Sequence, residues 1–295
     1  MTTLLALDFG GTKLAAGVAR DDTGPLRVLR TASPPTADAG LSAMLGLAER
    51  LLPYGSPVDA VGVSFGGHVD PTDGTIRRSL QVPGWDGVPL GALLRERFGA
   101  PVRVVNDGAA GAVGEWWCGA GASMAKGTLL YLTVSTGVGG GVLLDGRLHE
   151  GANGMAGEFG HLPAGGAAVC TCGRRGCLEA VASGPAIARA YDPTGAVDAE
   201  RVAAAARHGD ARAAAVLSAA GASVGDVIAT LACVLDPDVV AVGGGVAGSG
   251  ARFWTALHEN ADSGMLPGAR PRIVPAALAD APLVGACLLA AHLDG

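Results

Sequence analysis

The chain has 295 residues, of which 49% are hydrophobic and 16% charged, a composition that supports a large core and argues against disorder. Its net charge of −6 comes without a basic stripe, which argues against nucleic-acid binding. No basic segment precedes the first apolar run, and Asp8 interrupts that run, so we predict no secretory signal and a cytoplasmic location.

Apolar runs and glycine turns predict alternating strands and helices along the chain. The first part is predicted to hold strands at residues 4–9, 14–19, 26–31, 58–64 and 102–105 and helices at residues 40–52, 87–98 and 108–117. The second part is predicted to hold strands at residues 128–133, 140–144, 239–242 and 272–274 and helices at residues 184–191, 199–208, 211–235, 251–260 and 283–292. The apolar stretch around residues 213–236 is interrupted by polar side chains, which favours a buried helix over a membrane span.

This order predicts an α/β protein of two domains. We expect a smaller domain of residues 1–106 and 283–295, and a larger one of residues 107–282 that carries a zinc loop at residues 161–179.

A cluster of thiols and one imidazole is the most specific feature of the chain. It supplies the four ligands of a closed tetrahedral zinc site, namely His161, Cys170, Cys172 and Cys177. A disulfide framework and ordinary core thiols are the alternatives, but 6 cysteines in the whole chain are too few for such a framework. Glu158 and Glu179 flank the cluster, so a bound metal would also fix these two carboxylates. The other three cysteines, in apolar surroundings, are predicted to be core residues.

A glycine turn between the first two strands is a candidate nucleotide site, formed by Asp8, Gly10, Gly11, Thr12 and Lys13. Glycine amides, a hydroxyl and an ammonium group can approach phosphate oxygens, and Asp8 is placed to hold the Mg²⁺ that nucleotides carry. Taken alone, a plain hairpin turn explains the glycines about as well.

Two further glycine-rich stretches are candidate phosphate cradles. The first, residues 135–141, includes Thr136 and Gly137, and a hairpin softened by glycine is the equal alternative. The second, Gly243, Gly244 and Gly245, follows a strand and formally begins a G-x-G-x-x-G pattern. Its position near the C-terminus favours a nucleotide-facing turn over an NAD-binding site.

Asn106 and Asp107 lie where a strand meets a helix, so the Asp107 carboxylate can face a cleft. An aspartate there suits a general base that deprotonates an attacking hydroxyl. A helix N-cap is the alternative role for Asp107.

Together these segments resemble the ROK family of bacterial sugar kinases and sugar-responsive repressors. The resemblance runs in order over nearly the whole chain, and it is carried by residues 8–13, 62–70, 106–107, 135–141, 150–161, 170–179 and 243–245.

The resemblance implies a two-lobed actin-like ATPase (ribonuclease H-like) sugar kinase fold that binds ATP, Mg²⁺ and a hexose and phosphorylates the 6-hydroxyl. It implies that Asp107 is the base. It implies that the sugar is held by Gly67, Asn106, Asp107, Glu158, His161 and Glu179, and the nucleotide by the three glycine segments. It also suggests a homodimer or homotetramer without nucleic-acid or membrane partners.

The sugar pocket departs from the family pattern at Gln81, at Ala109 and at residues 64–68, which leaves the choice of sugar open. A glucokinase-like activity is the first expectation, and the alternatives are an N-acetylmannosamine, N-acetylglucosamine or fructose kinase. A sugar-sensing protein without catalysis, lacking the DNA-binding domain of the repressors, is the alternative of another class.

Overall fold

A computed structural model describes residues 2–20, 27–52, 56–79 and 82–292 of the chain. Leu26 and Gln81, which entered the sequence predictions, lie outside the described residues. The strands are β1 Thr3–Phe9, β2 Lys13–Arg20, β3 Arg27–Ala32, β4 Ala60–Phe65, β5 His68–Val69, β6 Ile76–Arg78, β7 Val102–Asn106, β8 Thr128–Val134, β9 Val138–Leu144, β10 Arg147–Leu148, β11 Val239–Gly243 and β12 Arg272–Pro275. The α-helices are α1 Ala37–Leu51, α2 Leu90–Phe98, α3 Asp107–Cys118, α4 Leu178–Ala182, α5 Gly184–Tyr191, α6 Ala199–Arg207, α7 Ala211–Leu235, α8 Ala251–Gly264 and α9 Ala281–Ala291.

The two five-stranded sheets have corresponding strand orders. The first is β3-β2-β1-β4-β7, and the second is β10-β9-β8-β11-β12. In the first sheet β1 pairs with β4, and β4 with β7, in parallel, as β8 does with β11 and β11 with β12 in the second. The predicted α/β class and the predicted order of the main strands and helices are confirmed, whereas the short β5–β6 hairpin was not predicted.

The chain divides into two compact units by its internal contacts. Unit 1 comprises residues 1–122, 141–156 and 278–295, and unit 2 comprises residues 123–140 and 157–277. The contacts thus group α3 with the first sheet, whereas the sequence-derived division at residues 106/107 and 282/283 stays a prediction. Packing of α3 against α9 accounts for this grouping, since a Cβ on Gly285 would lie 1.7 Å from the carbonyl oxygen of Ala110.

The first sheet buries two faces, as its alternating side chains require. Leu5, Leu7 and Phe9 of β1 point into a core shared with α1 and α2. The intervening Leu4 and Ala6 contact α9 instead. We call this second side the α9 face, and its small residues let the helix approach the strands closely.

In unit 2 the long helix α7 packs on α4, α5, α6 and α8. Glycines set the contact with α8, because a Cβ on Gly221 would lie 2.1 Å from the carbonyl oxygen of Phe253. By length and composition α7 could cross a membrane, yet 56% of its apolar 18-residue stretch is buried inside the protein. The predicted bounds of α7 are confirmed, and its packing is that of a core helix.

Candidate active site

Asp8 is a nearly buried carboxylate on the α9 face of the first sheet. The residue is only 9% exposed, and its Oδ1 accepts a hydrogen bond of 2.7 Å from Ser64 Oγ. Burial raises the pKa of Asp8 to about 6, against the lowering effects of Ser64 and Lys13. A buried carboxylate therefore lies at the end of a central strand, directly before the glycine turn.

The β1–β2 turn brings the remaining predicted nucleotide residues beside Asp8. The backbone N–H of Gly10 donates to the carbonyl oxygen of Lys13 at 3.1 Å. A Cβ on Gly10 would lie 2.8 Å from that oxygen, so glycine is required there. Gly11 is half-buried, while Thr12 and Lys13 are exposed.

Two charged residues that the sequence did not single out join this turn. Asp280 Oδ1 lies 3.3 Å from Lys13 Nζ, and Asp280 Oδ2 accepts a hydrogen bond from Arg30 Nη2. No local pattern could have found them, because Arg30 and Asp280 are 250 positions apart.

Asn106, Asp107 and Gly67 come together at the N-terminus of α3. The side chain of Asn106 accepts the backbone N–H groups of Gly108 and Ala109, and its Nδ2 donates to the Gly67 carbonyl at 3.0 Å. Asn106 is thus the N-cap, and the alternative capping role for Asp107 was wrong. Asp107 is the first residue of the helix and is half-buried.

The four predicted metal ligands converge in unit 2. Their ligand atoms, in His161, Cys170, Cys172 and Cys177, all lie within 4.8 Å of one another. The sulfurs of Cys172 and Cys177 are 3.7 Å apart, far too long for a disulfide. A tetrahedral zinc with bonds of about 2.3 Å to sulfur requires a separation of roughly 3.8 Å, so the donor set fits zinc.

The protonation chemistry of the thiols suits a metal ligand set only in part. Hydrogen bonds from Arg174, the backbone N–H first, lower the pKa of Cys172 to about 6. Burial raises the pKa of Cys177 to about 11, and a bound cation would lower it again. The other three cysteines were predicted in the core, but Cys118 and Cys233 are exposed and Cys287 is only partly buried. Apolar neighbours in sequence did not place Cys118 and Cys233 inside, because both lie at helix ends.

His161 presents its two ring nitrogens to different groups. Nδ1 lies 3.6 Å from Cys170 Sγ, on the side of the ligand cluster. Nε2 lies 3.8 Å from Glu158 Oε2. The two predicted roles of His161, in the metal set and beside a sugar-binding carboxylate, therefore use different atoms.

Glu179 links the cysteine loop to the glycine turn between β8 and β9. Its Oε1 accepts a hydrogen bond of 2.8 Å from Thr171 Oγ1, and its Oε2 accepts the backbone N–H of Val138 at 3.1 Å. Gly137 packs on the same carboxylate, since a Cβ there would lie 2.9 Å from Glu179 Oε2. Thr171, between two ligand cysteines, is a contact that the sequence did not point to.

The predicted cradle at residues 135–141 is shorter than expected. Only residues 135–137, with Thr136 exposed, form the turn, and the following glycines continue the strand β9. Glycine in β9 permits close packing, because a Cβ on Gly140 would lie 2.5 Å from the Phe159 ring. The glycines of β9 are therefore explained by close packing and not by a phosphate-binding turn.

The third glycine segment follows β11 as predicted. Gly243 ends the strand and is buried, whereas Gly244 and Gly245 are exposed and lead into a short 3-10 helix, Gly245–Ser249, before α8. Gly244 has φ of +87°, and a Cβ there would lie 2.3 Å from the Val134 carbonyl oxygen. The turn is a strand–turn–helix element on the same sheet as the residue 135–137 turn.

The ROK family matches the chain over residues 4–292. A glucokinase from Halalkalibacterium halodurans is 37% identical over 233 residues, covering 72% of this chain and 69% of the relative. An N-acetylmannosamine kinase from Yersinia pseudotuberculosis is 36% identical over 246 residues, covering 82% of each protein.

Two solved structures resemble the whole chain. A ROK hexokinase from Thermus thermophilus is 38% identical, with a TM-score of 0.84 over 98% of both chains. A ROK family glucokinase from Streptomyces griseus, solved with glucose and AMPPNP, is 31% identical, with a TM-score of 0.84 over 98% of this chain and 99% of that one.

Proposed function

Because the chain belongs to the ROK family, we propose that it transfers the γ-phosphoryl group of ATP to the 6-hydroxyl of a hexose, as a glucokinase-type enzyme. The observation that carries this proposal is the Asp107 carboxylate at the junction of β7 and α3, beside Asn106 and Gly67. The similarity to a glucokinase solved with glucose and a nucleotide analogue supports it.

In this proposal Asp107 accepts the proton of the sugar hydroxyl as that oxygen attacks the phosphorus. The sugar hydroxyls are held by Gly67, Asn106, Glu158, His161 and Glu179. The nucleotide phosphates are held by Gly10, Gly11, Thr12, Lys13, Thr136, Gly137, Gly243, Gly244 and Gly245, and Asp8 would hold the Mg²⁺ that the nucleotide carries. Phosphoryl transfer needs these groups to position the two substrates and to neutralise the phosphate charge, more than to form covalent bonds.

We propose zinc in the cluster of His161, Cys170, Cys172 and Cys177, as a structural ion. A bound ion would fix the loop, and its four protein ligands would leave no coordination position open for a catalytic water. The half-buried carboxylates of Glu158 and Glu179 lie next to that loop, which supports a role for the ion in shaping the sugar contacts.

Replacement of the base tests the proposal. Asp107→Asn should lower kcat by about 10²- to 10⁴-fold, because it removes the proton acceptor, while hexose affinity stays close to that of the wild type. Turnover is followed as hexose-dependent ADP release in a coupled assay, and hexose binding by calorimetry. The matched control is Asp236→Asn, an exposed aspartate at φ +41° that asparagine tolerates. Substantial turnover by Asp107→Asn would refute the assigned base.

N-acetylmannosamine kinase is the second candidate, favoured by the related enzyme from Yersinia pseudotuberculosis. The same assay with glucose, N-acetylmannosamine, N-acetylglucosamine and fructose separates the two candidates and the other sugars. Hexose binding without ADP release from any of them, with ATP and Mg²⁺ present, would instead favour a sugar-sensing protein.

The homodimeric or homotetrameric state and the cytoplasmic location stay proposals that rest on the family. Light scattering after size-exclusion chromatography measures the oligomeric state.

A further inference from the structure

A row of polar residues crosses the α9 face of the first sheet beyond the N-terminus of α9. In register, Asp8 of β1 lies opposite Ser64 of β4 on one side and Ala15 of β2 on the other. Ala15 in turn lies opposite Arg30 of β3. Lys13 is two residues before Ala15 in β2, so its side chain leaves the sheet on the same face.

Small residues make the remainder of this face apolar. Ala6 and Ala15 pack with Leu283 and Ala286 of α9. α9 begins at Ala281, and the charged side chains of Lys13 and Arg30 lie beyond this end of the helix. Asp280, the residue before α9, is the group that faces them.

Asp280 occupies the N-cap position of α9 but does not cap the helix with its side chain. An aspartate at an N-cap ordinarily accepts a backbone N–H of the first turn. Here both carboxylate oxygens are used by cations instead, Oδ1 by Lys13 and Oδ2 by Arg30. The Asp280 side chain therefore binds two cations and does not accept the backbone N–H that an N-cap residue usually accepts.

Stability does not explain this arrangement. Lys13 and Arg30 have side chains 54% and 43% exposed, and exposed ion pairs contribute little to stability. The position does explain it, since the charges of Lys13, Arg30 and Asp280 all act on the buried Asp8.

We propose that Asp280 is a positioning residue that holds Lys13 and Arg30 as a pair of cations beside Asp8, and that Arg30 is a second cation for the nucleotide polyphosphate. This inference rests on the proposed function and adds two residues to it. One carboxylate bridges the two cations, which offsets their mutual repulsion and restricts two long side chains before the nucleotide arrives. Lys13 keeps two further donors and Arg30 several, so both can still bind phosphate oxygens.

The variant Asp280→Asn tests this proposal, because it keeps the shape of the side chain and removes its charge. We expect the KM for MgATP to rise about tenfold, the affinity for MgAMPPNP to fall by a similar factor, and hexose affinity to change less than about twofold. Arg30→Gln should change nucleotide binding in the same direction, and Asp280→Glu should restore most of the loss. The melting temperature of the variants should stay within about 3 °C of the wild type.

The matched control is Glu49→Gln, which breaks the exposed ion pair with Arg97 in the same unit. The proposal would be overturned if folded Asp280→Asn had the nucleotide affinity and the KM for MgATP of the wild type, as Glu49→Gln should. Tighter nucleotide binding by Asp280→Asn would also overturn it. Failure of the proposed function gives a different result. The wild type would then bind MgAMPPNP but phosphorylate no hexose, and the binding comparison alone would decide the role of Asp280.

Discussion

Asp8 shows how one carboxylate can be both buried and chemically useful. Its strand partners are apolar except Ser64, whose single hydroxyl partly compensates the lost hydration. Burial of the ionised carboxylate is therefore an expense in stability. That expense is measurable because it depends on pH.

The folded protein holds the Asp8 proton more tightly than the unfolded chain does, since the pKa is raised from 3.8 to about 6. Its contribution to stability is therefore fully present below pH 3.8 and is lost as the pH rises through 6. The free energy of unfolding of the wild type should fall relative to that of Asp8→Asn by about 2 to 3 kcal/mol between pH 3.8 and pH 7. Urea unfolding of both proteins across this range measures the difference. A difference that does not change with pH would contradict the raised pKa.

At the scale of elements, the side chain of Glu179 ties the loop that carries the metal ligands to the β8–β9 turn. Glu179, at the start of α4, accepts hydrogen bonds from the Thr171 hydroxyl of the loop and from the Val138 N–H of the turn. The sequence suggested Glu179 from its position next to Cys177, but its two hydrogen bonds depend on segments 41 and 8 residues away. Local spacing can nominate such a residue, yet it cannot supply the partners that the fold brings to it.

Removing the Thr171 hydroxyl should therefore loosen Glu179 without removing a metal ligand. Thr171→Val should weaken hexose binding about fivefold, the effect of one hydrogen bond of about 1 kcal/mol, with the zinc content unchanged. Thr171→Ser keeps the hydroxyl and should bind hexose like the wild type. Calorimetry measures the affinity, and elemental analysis measures the zinc. Equal hexose affinity in the valine and serine variants would show that Thr171 does not position Glu179.

For the whole molecule, the corresponding strand orders of the two sheets place a central strand followed by a glycine turn at the same point of each sheet. The runs ending near Asp8 and near Thr133 are the central strands β1 and β8, each followed by a glycine turn. Such buried strands are predictable because their apolar runs are nearly uninterrupted. Glycines were less informative, since the same residue marks a turn at Gly10 and close packing within β9. The contact of Asp280 with Arg30 joins a helix terminus to an edge strand, and only the tertiary structure reveals it.

Metal removal tests how far the cysteine cluster supports the proposed sugar contacts. Without zinc, no ion links the four ligands that lie within 4.8 Å of one another, so the loop should open and His161 and Glu179 should lose their fixed positions. We expect hexose affinity to fall about tenfold or more after chelation, and to return when zinc is added.

Calorimetry with the chelated and the zinc-restored protein measures this change, and elemental analysis confirms that the metal has left. Cys172→Ser should behave like the chelated protein because it removes one ligand, whereas Cys233→Ser, at an exposed cysteine outside the cluster, should bind zinc and hexose normally. If the zinc is gone and hexose affinity is unchanged, the cluster holds only its own loop, and Glu158, His161 and Glu179 do not depend on it. The proposed sugar contacts would then have to be positioned by the hydrogen bonds of α4 and the β8–β9 turn alone.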